Sequence, residues 1–292
     1  MRASGLVAIA IFSALGAVSA LFNSVSPAEA QAPSASTAQR SDHAGACSAA
    51  TPRGIYVVRF NGQSTSAAPQ FSESDFYPIT VIGTFNFGDN GVVSRSLTVS
   101  VADKPPFPVA DQGNYQIASD CSGAIEFPSN SETFTIYIVD EHRMEITATT
   151  DGRVGAGVLL KQEIHDCSNE SLNGTYVFTV NGVAASALFG IGAPPSNNLD
   201  AYFPVAVVGN WSVDGTGSVA RSLELNFGGS ALPYDDHGTY QIDSSCIGSA
   251  FFSRDDELFE MIFVNSRTIV IGVVSTDAPG RHGVAMLERR SW

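Results

Sequence analysis

Hydrophobic and polar residues alternate with a period of two along most of this chain. Tyr77, Ile79, Val81, Gly83, Phe85 and Phe87 fall in one phase, with Thr80, Thr84 and Asn86 in the other. The pattern returns in Phe203, Val205, Val207, Gly209, Trp211 and Val213. Alternate residues of an extended strand point to opposite faces, so each run reads as a strand with one buried face. Runs of this kind predict strands near 54–61, 78–87, 91–101, 113–118, 123–128, 132–139, 143–150 and 154–163. Asp89-Asn90-Gly91 and Asp214-Gly215-Thr216-Gly217 supply the positive-φ residues that tight hairpins need. No long stretch carries a helical period, so little helix is expected.

The pattern is duplicated. The run from Cys47 to Gly62 (CSAATPRGIYVVRFNG) matches that from Cys167 to Gly182 (CSNESLNGTYVFTVNG). Phe76 to Gly91 matches Tyr202 to Gly217, and Arg95-Ser96-Leu97 matches Arg221-Ser222-Leu223. Gly113-Asn114-Tyr115-Gln116-Ile117, followed by Cys121, matches Gly238-Thr239-Tyr240-Gln241-Ile242, followed by Cys246. Matches in this order indicate a tandem repeat. An all-β chain follows, with two tandem antiparallel up-and-down β-barrels of about eight strands each, because closure leaves no exposed edges. A pair of β-sandwiches is the second choice. The equivalence of Cys47 with Cys167 and of Cys121 with Cys246 argues for one disulfide inside each copy, Cys47–Cys121 and Cys167–Cys246.

The ends and the charge add a compartment. Arg2 precedes an apolar stretch from Leu6 to Phe22, and Ala28-Glu29-Ala30 offers small residues to a signal peptidase. Residues 1–30 therefore read as a secretion signal, with Ala30-Gln31-Ala32 as a second cleavage site, and 31–46 as a flexible linker. The repeats then occupy 47–164 and 165–292. Ala44-Gly45-Ala46-Cys47 lies too far beyond the apolar stretch for a lipidation signal. A formal net charge of −14 repels phosphate backbones, which excludes nucleic acid as a natural partner. The expected location is secreted or periplasmic, with no membrane span left after signal removal. An outer-membrane barrel would put Glu288 and Arg290, in phase with Trp292, toward lipid.

The G-x-Y opening of each copy (Gly54-Ile55-Tyr56 and Gly174-Thr175-Tyr176) runs on to Asn61-Gly62 and Asn181-Gly182. Together with Tyr77-Pro78, Phe203-Pro204 and the G-x-Y-x-I segments, it resembles uncharacterised secreted bacterial tandem β-barrel proteins. Those are similar to the allene-oxide-cyclase-like and lipocalin-like (calycin) barrels. The resemblance covers nearly all of 47–290, once per copy, and rests on turn glycines, core aromatics and a disulfide. It implies a small barrel; no catalytic residue of a cyclase matches this chain.

Arg95 and Arg221 are the anomalous residues. Each lies in the apolar phase of its strand, with Val93, Leu97 and Val99 or with Val219, Leu223 and Leu225. A guanidinium facing a barrel interior needs a carboxylate, carbonyls or an anionic ligand. The apolar segment Val183 to Pro195, with Leu188 and Phe189, reads as a lid over the second barrel or as a plug within it. Trp211 lies in the inward phase, as core or as ligand wall. An acidic head on Arg221 and an apolar body under that loop would place a ligand site in copy two.

His43, His142, His165, His237 and His282 show no ligand pairing, and Asp235-Asp236-His237 is the one dense polar triplet. No metal site, cofactor or catalytic residue is expected, because no phosphate-cradling loop or nucleophile elbow occurs. The first functional reading is a non-catalytic binding module for a small apolar or amphipathic molecule. The alternatives are an envelope protein that binds a protein partner without a small ligand, and a cyclase or isomerase.

Overall fold

The alternating segments of the first copy form eight antiparallel strands that close on themselves. They are β1 (Gly54–Ser64), β2 (Tyr77–Phe87), β3 (Val92–Val101), β4 (Phe107–Ile117), β5 (Ser122–Phe127), β6 (Glu132–Ile138), β7 (Arg143–Ala148) and β8 (Arg153–Lys161). Closure runs from Tyr56 opposite Lys161 to Ser64 opposite Arg153. A barrel is therefore formed, not a sandwich. The computed structural model describes residues 47–48, 50–64, 77–101, 105–185, 202–227, 230–254, 256–273 and 281–291. The expected secretion signal and linker lie outside them.

The second copy repeats the topology in β9 (Asn173–Ala185), β10 (Tyr202–Asp214), β11 (Ser218–Phe227), β12 (Ser230–Ile242), β13 (Ile247–Phe252), β14 (Glu257–Phe263) and β15 (Thr268–Val273). Its last strand is written in two pieces, β16 (Arg281–His282) and β17 (Val284–Arg289). Both pieces pair with β9 in one register, His282 opposite Val183 and Ala285 opposite Val180. They are one strand interrupted at Gly283, and pairing of β9 with β10 closes a second eight-stranded ring. Among the described residues the helical content is one 3-10 turn, Asn169–Ser171.

β4 begins at Phe107, six residues before the segment that alternation marks. Pro105, Pro106 and Pro108 read as a loop, yet Pro108 stands opposite Thr98 next to the strand's first residue, where proline is tolerated. The early start brings Asp111 into the sheet.

Each barrel is filled by its inward phase. Tyr56, Phe85, Phe87, Tyr115 and Phe127 are buried in the first, with edge-on contacts such as Phe87 to Tyr115 at 5.1 Å. Tyr176, Phe178, Trp211, Phe252 and Phe259 fill the second. The disulfides Cys47–Cys121 and Cys167–Cys246 span sequence separations of 74 and 79. Each limits the unfolded chain by about 4.5 kcal/mol in the loop-entropy account. They sit at the ends closed by Tyr115, whose hydroxyl donates to Gly88 O at 2.6 Å, and by Tyr240, which donates to Leu172 O at 2.9 Å.

The outward phase of the first barrel is polar and exposed at Ser94, Ser96, Asn114, Gln116 and Glu126. Apolar inside and polar outside is the reverse of what lipid requires of a membrane barrel. Among the described residues no helix is long and apolar enough to cross a membrane. Part of the outward face is apolar and buried, in a third cluster where Val57 and Ile82 of the first barrel meet Ile262, Val264, Val270 and Val284 of the second. Glu163 N donates to Val264 O at 2.7 Å, and Gln162 Nε2 donates to Phe263 O at 2.9 Å. The two barrels thus share an apolar contact that continues into the Gln162–Glu163 connection between them.

Candidate functional site

Both inward arginines sit in the same local frame. Gly113 and Gly238 lie at inward positions where a Cβ would fall 2.3 Å from Glu126 O and 2.2 Å from Phe251 O. Their bare backbone lets the rings of Phe127 and Phe252 lie across the strand. Arg95 then rests over the Phe127 ring at 3.7 Å and Arg221 over Phe252 at 3.9 Å. The neighbouring strand supplies the acid directly opposite, Asp111 facing Arg95 and Asp236 facing Arg221. Opposite each phenylalanine stands a glutamate, Glu132 or Glu257, the first residue of its strand.

In the first barrel the ion pairs form a chain. Arg95, with a side chain 1% exposed, donates from Nε to Asp111 Oδ1 at 2.6 Å and from Nη2 to Oδ2 at 3.1 Å. Its Nη1 meets Glu132 Oε2, while Glu132 Oε1 meets Arg153 Nη1. Ser129 Oγ donates to Asp111 Oδ2 at 2.6 Å. Asn130, in the amide orientation that satisfies both its ends, accepts from Arg95 Nη2 at 2.8 Å. Burial alone would push the Asp111 carboxyl up; the hydrogen bonds from Arg95 and Ser129 outweigh it and hold the group below the ordinary carboxylate range. Arg153 is lowered, by burial first and then by the charge of Arg95.

In the second barrel Arg221, 4% exposed, reaches Asp236 Oδ2 at 3.2 Å through Nη2 and Glu257 Oε2 through Nη1. Burial would lower this guanidinium, but Glu257, Tyr234 and Asp236 hold it above its ordinary value. The backbone places Arg281 opposite Ala184 as it places Arg153 opposite Ser64, the equivalent pairing.

The described side chains enclose a cavity of about 110 Å³ in the first barrel, toward the end away from the disulfide. Val58, Phe60, Val81, Leu97, Val99 and Val109 form much of its wall, and Arg95, Glu132 and Arg153 border it. The sequence pointed to copy two for a ligand; the cavity among the described residues is in copy one. Arg95 borders it, and like Arg221 it is tied to two carboxylates. Trp211 is core, 5.3 Å from Phe252 and 5.4 Å from Phe259 between ring centroids. Leu188 and Phe189, with the rest of their loop after Ala185, lie outside the described residues.

Asp235-Asp236-His237 divides between faces, with Asp236 buried against Arg221 and the other two exposed. Among the described residues no group of three or more His, Cys, Asp or Glu could hold a metal ion. Alternation alone missed Asp111, Glu132, Arg153, Asp236 and Glu257. A signal for the aspartates was present, since Phe107 to Gly113 (FPVADQG) and Leu232 to Gly238 (LPYDDHG) share a proline, an aspartate and a glycine at one spacing.

No family model matches the chain, and no curated protein matches it. Among solved structures it is similar to a protein of unknown function from the DUF3598 family of Nostoc punctiforme. The match has 13% sequence identity, covers 82% of this chain and 97% of that one, and has a TM-score of 0.25.

Proposed function

We propose that this protein is an exported, non-catalytic binding module that takes a small apolar or amphipathic molecule into its first barrel. The observation that carries this reading is the apolar cavity of about 110 Å³ with an ionic border. A dry apolar cavity of roughly 150 Å³ in another protein accepts benzene, so molecules of one small ring or a short branched chain match this space. The ionisable groups along the border, Arg95, Glu132 and Arg153, are engaged with one another, which favours holding a ligand over moving its protons. Both disulfides belong to an oxidising compartment, in line with the N-terminal export signal. The resemblance to lipocalin-like barrels points the same way, since eight strands leave room for one small ligand.

The test is calorimetric titration of the full chain with toluene and short branched hydrocarbons, against Val109→Tyr. The substitution places in the first barrel the residue that the second carries at the same register, Tyr234 opposite Leu223. Saturable one-site binding that falls at least tenfold in the variant is expected. Absence of saturable binding to the unaltered protein overturns the reading.

A further inference from the structure

The second barrel shows what kind of group fills the space that the first leaves open. Phe85 and Val109 line the cavity, and the residues at their register in the second copy are Trp211 and Tyr234. Trp211 packs among Phe178, Phe252 and Phe259. Tyr234 holds its ring 5.1 Å from the Arg221 guanidinium, and the equivalent Arg95 borders the cavity. One copy completes its interior with aromatic rings of its own; the other keeps room beside the same residues.

The wall of that room is also set for a ring. Phe60, Phe85 and Phe134 line it, and Phe134 stands edge-on to both others, each at 6.4 Å, with interplanar angles of 89° and 85°. Phe60 is peculiar to the first barrel. Its counterpart is Val180, and Gly157 opposite Phe60 corresponds to Ala285 opposite Val180. A Cβ at Gly155 would fall 2.6 Å from Phe60 Cζ, so bare backbone on β8 lets the ring lie back against the strand. Edge-to-face contacts between rings add to what buried area alone supplies. We infer that the natural ligand is built on an aromatic ring, taken edge to face by Phe60, Phe85 and Phe134, with Phe60 as the residue that selects it. This deepens the proposed function and rests on the first-barrel cavity.

Toluene and methylcyclopentane have nearly the same volume, and only toluene is aromatic. The saturated ring leaves water more readily, so a merely apolar cavity ranks methylcyclopentane first. Both are titrated calorimetrically into the full chain and into Phe60→Leu, which keeps an apolar side chain and removes the ring. Toluene is expected to bind the unaltered protein about fivefold tighter than methylcyclopentane, a difference of about 1 kcal/mol. In Phe60→Leu that preference is lost, while methylcyclopentane binds as before. Methylcyclopentane binding as tightly as toluene, or tighter, overturns the inference while leaving the cavity reading intact. A toluene preference that survives in Phe60→Leu overturns the role given to Phe60. Failure of both to bind overturns the inference and the cavity reading together. The ranking in the unaltered protein decides the ligand class even where the variant folds poorly.

Discussion

The two barrels share a skeleton and differ in what fills it. Arg95, Asp111, Glu132, Gly113 and Phe127 correspond one for one to Arg221, Asp236, Glu257, Gly238 and Phe252, with the same strand pairings around them. Two positions beside this shared set diverge. Opposite the arginine, the first barrel has Phe85 and the second Trp211; opposite the neighbouring leucine, the first has Val109 and the second Tyr234. Phe85 and Val109 line the cavity of the first barrel, whereas Trp211 packs against Phe178, Phe252 and Phe259. A feature kept in both copies is explained by folding. A feature present in one is where function is to be sought.

The shared ionic set has a clear folding role. A slip of one residue between β3 and β4, or between β11 and β12, would turn the arginine outward and leave its acids inside. Buried ion pairs add little net stability over apolar residues, but breaking one leaves charge stranded. Arg95→Met and Arg221→Met are therefore expected each to lower unfolding stability by about 3–5 kcal/mol, the largest effects anticipated here. Chemical denaturation of the two variants checks this. A loss below 1 kcal/mol in one barrel would show that its arginine is not part of the skeleton.

The strands, the closure and both disulfides were legible because alternation and duplication are written along the chain. The acids were not, because Glu132 meets Arg95 from β6, three strands on, and the prolines near Phe107 disguised the start of β4, which carries Asp111. The cavity depends on which inward residues stand at one level of the barrel. Phe85 against Trp211 and Val109 against Tyr234 become informative only once register is known. The contact between barrels had a sequence signal in Met261-Ile262-Phe263-Val264 and Ile269-Val270-Ile271, where alternation fails. Strands buried on both faces read this way.

That contact is itself asymmetric. Ile262 and Val270 are fully buried against the first barrel, while the equivalent positions on the first barrel are Tyr137, 55% exposed, and Glu145. Conversely Val57 and Ile82 are buried, and their counterparts Val177 and Val208 are exposed. The stacking is head to tail, and Glu145 in place of Val270 makes the first barrel's free face a poor seat for a third. Glu260, half-buried and in contact with Thr98 of the first barrel, holds the position that Thr135 holds in that barrel. Burial raises its carboxyl, against a hydrogen bond from Thr98. A carboxyl raised on folding contributes stability that is present below its unfolded value and lost as pH rises through the folded one. Glu260→Gln is thus expected to raise the melting temperature by a few degrees at pH 7 and to leave it unchanged near pH 4. Parallel melts of variant and parent across that range test the sign; a lower melting temperature at pH 7 would refute it.

The smallest expected effect isolates one hydroxyl. Tyr56 and Tyr176 occupy the same position in β1 and β9, each buried, Tyr56 opposite Phe85 and Tyr176 opposite Trp211. The hydroxyl of Tyr56 donates to Glu141 O at 3.1 Å, in the connection between β6 and β7. The hydroxyl of Tyr176 is buried without a partner among the described residues, although the corresponding connection, Val264 to Arg267, is closed by the same backbone hydrogen bonds. Burial raises both phenols above their ordinary value, so both remain uncharged donors at neutral pH. Removing a satisfied hydroxyl loses a hydrogen bond and leaves its acceptor bare, whereas removing an unsatisfied one relieves a desolvation penalty. Tyr56→Phe is expected to destabilise the chain by about 1 kcal/mol. Tyr176→Phe is expected to be neutral or slightly stabilising. Equilibrium denaturation of the pair measures the difference, and equal losses in both variants would place an acceptor beside Tyr176 as well.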